Sequence, residues 1–352
     1  MFGLPLCSIA APVVSQNRRS FSVYIFHGLM TKLKVGRNVA IMRQAVPRVR
    51  DQNGTGGRQS IVPGRNEGFF AVYSRLPGAI ARGIFVILLI ILPSALLPSA
   101  MGDARVVVML VALFAAIFTI AEYSSESPSL IEFRDAPPFN RIRFIALFTS
   151  VFAMSVILSG EETGSPSTFV MFFDVIGERI GASIDFPFSP VRLMLVMMPE
   201  ETPMRVINSL RTAAGLSYFI SLLSLGLFIA LLRGRAWPRR TQKFNVWVNL
   251  PTFDPTAGGD VVDRLNRDSL VNLMLGFLLP FIIPALLKVT SGLVNPINLD
   301  DPQTLIWTVA IWAFLPASLL MRGIALSRVA GMIHVQRKKA YAAAAAEGML
   351  PV

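Results

Sequence analysis

The chain alternates between long uncharged, apolar stretches and short clusters of charge. Six of the apolar stretches approach the roughly 20 residues a helix needs to cross a bilayer. They predict spans at about 80–100, 106–123, 143–160, 212–232, 269–287 and 303–321. None of them shows the period-two alternation of a barrel strand. In lipid, only helices and closed barrels satisfy their own backbone hydrogen bonds. The pattern therefore predicts an all-α integral membrane protein, a bundle of six transmembrane helices over 79–325.

A further apolar stretch, FVMFFDVIGERI at 169–180, carries Asp174, Glu178 and Arg179. A charge at mid-span costs roughly 2.5–3.5 kcal/mol on the insertion scale, and this stretch has three. Phe169, Phe172, Phe173, Ile176 and Ile180 fall at i, i+3, i+4, i+7 and i+11, along one face of a helix. The spacing predicts an amphipathic helix lying flat on the outer interface, not a seventh span. The segment that follows, FPFSPVRLMLVMMPEE, is too short to cross, so 186–198 reads as interfacial or shallowly re-entrant. Together they make 161–211 an outer cap. Long loops between elements tend to carry function, which makes this cap the first candidate for a partner face.

Charge supplies the orientation. With the N-terminus in the cytoplasm, 27 of the 33 Lys and Arg residues fall on the inner side and 6 on the outer, as the positive-inside rule requires. Counting 169–180 as a span would send 12 of them to the wrong side. Both termini are thus expected inside, with a cytoplasmic loop at 233–268. The net charge of +12 then reflects loop bias, and no nucleic-acid partner is expected. The expected location is the bacterial cytoplasmic (inner) membrane.

The flanking segments read differently. Residues 1–78 are basic, and DQNGTGGRQSIVPGRNEG within them reads as disordered. The first residues are apolar but lack a positive n-region, a poor signal peptide. A transit peptide, or a true start at Met30 or Met42, would equally explain them. In the inner loop, Arg233, Arg235, Arg239 and Arg240 are expected to anchor at lipid headgroups. FNVWVNL alternates like a short strand. Asp260 reads as the N-cap of a helix that continues into the fifth span. The Ala-rich stretch 326–352 is helix-prone and follows the last span.

Composition narrows the chemistry. One cysteine, Cys7, excludes an internal disulfide. His27 and His334 are the two histidines, too few for the usual zinc or bis-histidine haem sites. No charged residue lies inside the uncharged runs 83–102, 106–121, 144–160, 212–232, 269–287 and 302–321, where proton-coupled transport or intramembrane catalysis normally needs one. No catalytic set, cofactor site or metal site is expected. Asp300–Asp301 reads as a turn and cap before the last span. Two softer signals remain. Pro280 and Pro284 in LGFLLPFIIPALLK free backbone carbonyls, which kinks the helix or offers ligands. Ala214, Ser217, Ser221 and Ser224 form a small-residue stripe suited to close packing or to a polar path. The expected partners are the bilayer and other membrane subunits, or a second copy. The expected role is a non-catalytic membrane subunit or assembly scaffold. The alternative is a small-solute transporter or channel-like protein kinked at the fifth span. A filled bundle would favour the first and a polar cavity at mid-bilayer the second.

Overall fold

A computed structural model describes residues 66–98, 103–164, 166–234, 237, 244–254, 256, 258–290 and 299–346. All belong to the unit Pro63–Val352. The leader with Cys7, His27, Met30 and Met42 lies outside the described residues, as do Arg235, Arg239 and Arg240.

The described chain is helical, with no strand among the described residues. In order the helices are α1 (Asn66–Leu96), α2 (Asp103–Ser124), α3 (Phe139–Thr163), α4 (Thr168–Ile184), α5 (Pro190–Val196), α6 (Met204–Gly234), α7 (Val246–Asn249), α8 (Val261–Thr290) and α9 (Pro302–Ala346). Six of them, α1, α2, α3, α6, α8 and α9, are long and apolar enough to cross a membrane. Successive long helices run antiparallel. The end that holds the α2–α3 turn is termed basal here, and the end that holds α4 and α5 apical.

The helix boundaries follow from local chemistry. α1 stops at Leu96 because Pro98 disfavours helical geometry in the residue before it. Pro98 also leaves the Ser94 carbonyl without its i+4 donor, and Arg105 Nη2 donates to it at 3.3 Å. α3 ends on Gly164, whose φ of 66° is left-handed and whose N–H donates to the Gly160 carbonyl. Ser167 and Ser189 cap α4 and α5 by accepting from Val170 N and Arg192 N. Asp260 caps α8 through Val262 N at 2.6 Å. Asp301 caps α9 through Thr304 N at 2.7 Å.

Two observed elements differ from the sequence reading, and a third segment gains a defined helix. Residues 66–78, expected in the disordered leader, form the first turns of α1. FNVWVNL, expected as a strand, contains the single helical turn α7. Alternation there had no neighbouring strand to pair with. Asn249 decides the conformation instead: its N–H and Nδ2 both donate to the Asn245 carbonyl, at 3.1 and 3.0 Å. Within 186–198 the chain is helical over Pro190–Val196. This is α5, whose Val191, Met194 and Leu195 pack into the apical core.

α3, α6 and α9 form the centre, with Val151, Met154, Leu210, Ala214, Ile306 and Val309 buried between them. α8 packs on α9. Gly276 lies against the Pro316 carbonyl and Leu320, and Gly323 against the Ser269 carbonyl and Leu273, so the two backbones nearly touch. Ser269 Oγ donates to the Gly323 carbonyl at 2.8 Å. α2 is the outlier. Among the described helices it contacts α1 alone, and Val107, Leu110, Phe114 and Ile117 on it are exposed. α9 has 45 residues. At 1.5 Å per residue that is about 67 Å, over twice the roughly 30 Å of a hydrocarbon core. Its exposed C-terminal turns therefore extend past the basal end, where Arg337 pairs with Asp260 at 2.8 Å.

A polar layer closes the basal end. Arg322 of α9 forks onto Glu132 of the α2–α3 turn, Nε to Oε2 at 2.6 Å and Nη2 to Oε1 at 2.7 Å. Thr252 Oγ1 donates to the same carboxylate at 2.7 Å. Arg134 donates to the Glu122 and Ser125 carbonyls, while the Glu122 carboxylate accepts from Ser129 N, Leu130 N and Ile131 N. Asn249 joins α7 to this turn by accepting from Phe133 N and Asp135 N. A partly exposed, forked pair of this kind is worth more than a surface ion pair and less than a fully buried one. Arg322→Gln is expected to cost about 1–3 kcal/mol, and Glu132→Gln/Arg322→Gln less than the sum of the two single changes. Thermal unfolding of the four proteins in detergent measures the coupling; additive losses would refute it.

Candidate functional site

The strongest candidate surface is the apical segment around α4, and glycine places it. The sequence Gly177-Glu-Arg-Ile-Gly181 puts two hydrogens one turn apart on α4. They face α6 and α3. A Cβ at Gly215 of α6 would sit 2.4 Å from Gly181 Cα, and one at Gly177 would sit 2.8 Å from Thr212 Cγ2. Around this contact Phe173 and Ile180 pack on Ala153, Ile157, Leu216 and Ile220. Phe173 also meets the Phe152 ring edge-on at 6.1 Å.

That docking divides the apolar face expected from the sequence. Phe173 and Ile180 turn toward the bundle, while Phe169, Phe172 and Ile176 stay exposed. The buried seam is centred on the glycines because small residues permit the closest approach. Asp174, Glu178 and Arg179 are exposed beside the free phenyl rings. Partial burial, and secondarily the like charge of Glu178, hold the Asp174 carboxyl above the usual carboxylate range.

The far end of α4 is pinned by charge. Asp185, nearly buried, pairs with Arg192 Nε of α5 at 3.0 Å and Arg211 Nε of α6 at 2.9 Å. One carboxylate thus ties α4, α5 and α6 together. At the same end a shallow open cleft is lined by Glu161, Glu162, Arg205, Ser209 and Asp300 over Leu158 and Leu305. Ser209 Oγ donates to Glu161 Oε2 at 2.8 Å, with Arg205 Nη1 3.9 Å from the same oxygen.

Toward the middle of the bundle the described core is closely packed. Met154, Leu210, Ala214, Ile306, Val309 and Trp312 are each 2% exposed or less. The serine stripe lies within this packing: Ser217, Ser221 and Ser224 are buried. Ser217 Oγ donates to Met154 Sδ at 3.2 Å, and Ser224 Oγ to the Ser221 carbonyl at 2.8 Å. Pro284 has no N–H for the Pro280 carbonyl, and Trp312 Nε1 of α9 donates there at 3.2 Å. The indole stacks on Tyr218 of α6, ring centroids 5.8 Å apart. Trp312 thus joins the α8 prolines to Tyr218 of α6, while the stripe's Ser217 faces Met154 of α3. Arg233 is exposed at the basal end of α6.

Sequence reasoning passed over Gly177, Gly181 and Gly215, although the Gly-x-x-x-Gly spacing was readable. It also passed over the Glu132–Arg322 pair, whose partners lie 190 residues apart and leave no local signal. Searches against protein-family models, characterised proteins and solved structures found no match.

Two outcomes test this site. Gly215→Leu forces α4 off α6, and overpacking of this kind costs about 1–3 kcal/mol. Hydrogen exchange in α4 is expected to accelerate more than in α3 or α9; uniform change would assign the glycine to general stability. The raised Asp174 carboxyl destabilises the folded protein at neutral pH, and the penalty vanishes once pH falls below the ordinary carboxylate range. Asp174→Asn is therefore expected to raise the unfolding midpoint at pH 7 and to leave it unchanged in acid. A gain of equal size at both pH values would contradict the assignment.

Proposed function

We propose that this chain is a non-catalytic membrane subunit or assembly scaffold that binds partner helices through its exposed apical surface. In this reading both termini face the cytoplasm of a bacterial inner membrane, and α4 lies at the outer interface as an amphipathic cap. The skewed distribution of Lys and Arg supports the orientation. The observation that carries the functional reading is the closely packed centre. Met154, Leu210 and Trp312 are buried where a solute path would run, Ser217 and the freed Pro280 carbonyl bond to neighbouring helices, and Ser224 bonds within its own helix.

The surface proposed for partners combines Phe169, Phe172 and Ile176 with Asp174 and Glu178. Exposed aromatic anchors flanked by charge resemble the composition of interface cores and rims. The apolar body suits lipid or a partner helix equally. The carboxylates supply direction, since they discriminate a partner with complementary charge.

The test is quantitative co-purification in gentle detergent. Asp174→Ala/Glu178→Ala and, separately, Phe169→Ala/Phe172→Ala are expected to lower the recovery of co-purifying membrane subunits at least two-fold at unchanged yield of the chain. Unchanged recovery in both variants would reject the scaffold reading. Solute flux in proteoliposomes that depends on Pro280 or Pro284 would replace it with the transporter.

A further inference from the structure

The basal end carries two guanidinium groups that the fold leaves without an anion. Arg82 of α1 stacks over the Tyr123 ring of α2, its Cζ 4.4 Å from the centroid. Its Nη1 donates to the Gly78 carbonyl at 2.6 Å. Arg143 of α3 lies between two phenyl rings, its Cζ 5.1 Å from Phe139 and 5.7 Å from Phe314. Its Nε is buried with no hydrogen-bond partner, and its Nη1 reaches Asn140 Oδ1 only at 3.5 Å. Among the described residues no carboxylate forms an ion pair with either arginine.

The nearby carboxylate does not fill the gap. Glu132 lies within electrostatic reach of Arg143, but its two oxygens are taken by Arg322 and Thr252. Tyr123 stands within electrostatic reach of both Arg82 and Arg143. A half-buried cation without a counter-charge is costly, and the cost is removed when an anion accepts its hydrogen bonds. Guanidinium groups match phosphate oxygens in geometry and are paired with them by charge-assisted bonds.

We infer that Arg82, Tyr123 and Arg143 form a binding site for the headgroup phosphate of an anionic phospholipid, in the notch where α2 and α3 flank α1. α2 and α3 both pack on α1 and make no helix–helix contact with each other. All three residues keep partial exposure. Toward the middle of the bundle α1 and α2 expose Ile84, Phe85, Leu88, Ile117 and Phe118. That apolar wall suits acyl chains, which free phosphate lacks. Two uncompensated cations favour a headgroup with net negative charge over a zwitterionic one, whose own ammonium would be repelled. Basic pockets between helices at a membrane surface bind anionic lipids by this physics.

The experiment uses the full chain, delipidated in detergent, titrated with phosphatidylglycerol, phosphatidylcholine or inorganic phosphate. Unfolding midpoint and lipid retained in native mass spectrometry are the readouts. Phosphatidylglycerol is expected to raise the midpoint by several degrees and to be retained, with little effect of the other two. Arg82→Gln/Arg143→Gln is expected to lower phosphatidylglycerol retention at least five-fold, while Arg337→Gln, at the same end but outside the notch, leaves it unchanged. Equal retention by the double variant overturns the site. An equal shift with inorganic phosphate overturns the lipid source, and an equal shift with phosphatidylcholine overturns the charge selection. Should the double variant not fold, Arg143→Lys keeps the charge and loses the fork; a phosphatidylglycerol shift unchanged from wild type would then overturn the assignment. Loss of a co-purifying protein, with lipid retention unchanged, would give the cations to a protein partner instead.

Discussion

Close backbone contact between helices, with donors supplied for the carbonyls it strands, is the constraint on which this structure rests. Between apolar helices in lipid there is little hydrophobic gain from association, because acyl chains are as apolar as leucine. Contact must then come from shape and from polar pairs. Gly276 and Gly323 bring α8 onto α9, and Ser269 and Trp312 bond across that seam to the Gly323 and Pro280 carbonyls. The proline that breaks the ladder in α8 thus becomes the point where another helix holds it.

The same rule divides the molecule into layers. The middle is filled by apolar and small residues, with serines bonding locally. Each end is closed by charge. At the apical end Asp185 gathers two arginines and fixes α4 and α5 to α6. At the basal end Glu132 gathers Arg322 and Thr252 and fixes the α2–α3 turn to α9. Charges that would be prohibitive in the apolar layer are affordable where water reaches them. This arrangement explains why a chain with 15% charged residues still shows forked and shared ion pairs.

The two surfaces singled out differ in kind. α4 presents exposed rings beside carboxylates on a helix held at both its glycines and its C-terminal aspartate, the surface proposed above for a partner. The basal notch presents cations beside an apolar wall, a complement to lipid. α2 belongs to neither core cluster and is held by α1 alone, so occupation of the notch would bear directly on the least supported helix. The proposed partner surface and lipid site therefore lie at opposite ends of the bundle and depend on different residues.

Hydrophobic periodicity and charge placement by themselves determined that the chain is helical, that six helices are long and apolar enough to span, and that 169–180 is a helix of another kind. Local caps were equally readable: Asp260 and Asp301 stand where their side chains can accept from the next free N–H groups. These features are written in neighbouring residues, so one sequence window contains their whole cause. The tertiary structure decided the rest. It turned the alternating FNVWVNL into a helical turn because no strand was there to pair with it. It split the α4 phenyl rings between bundle and surface because Gly181 met Gly215. It joined Glu132 to Arg322 and left Arg143 without an anion. Each of those outcomes depends on which distant helix arrives at a given depth, a distance-dependent contact that no periodicity along one segment encodes.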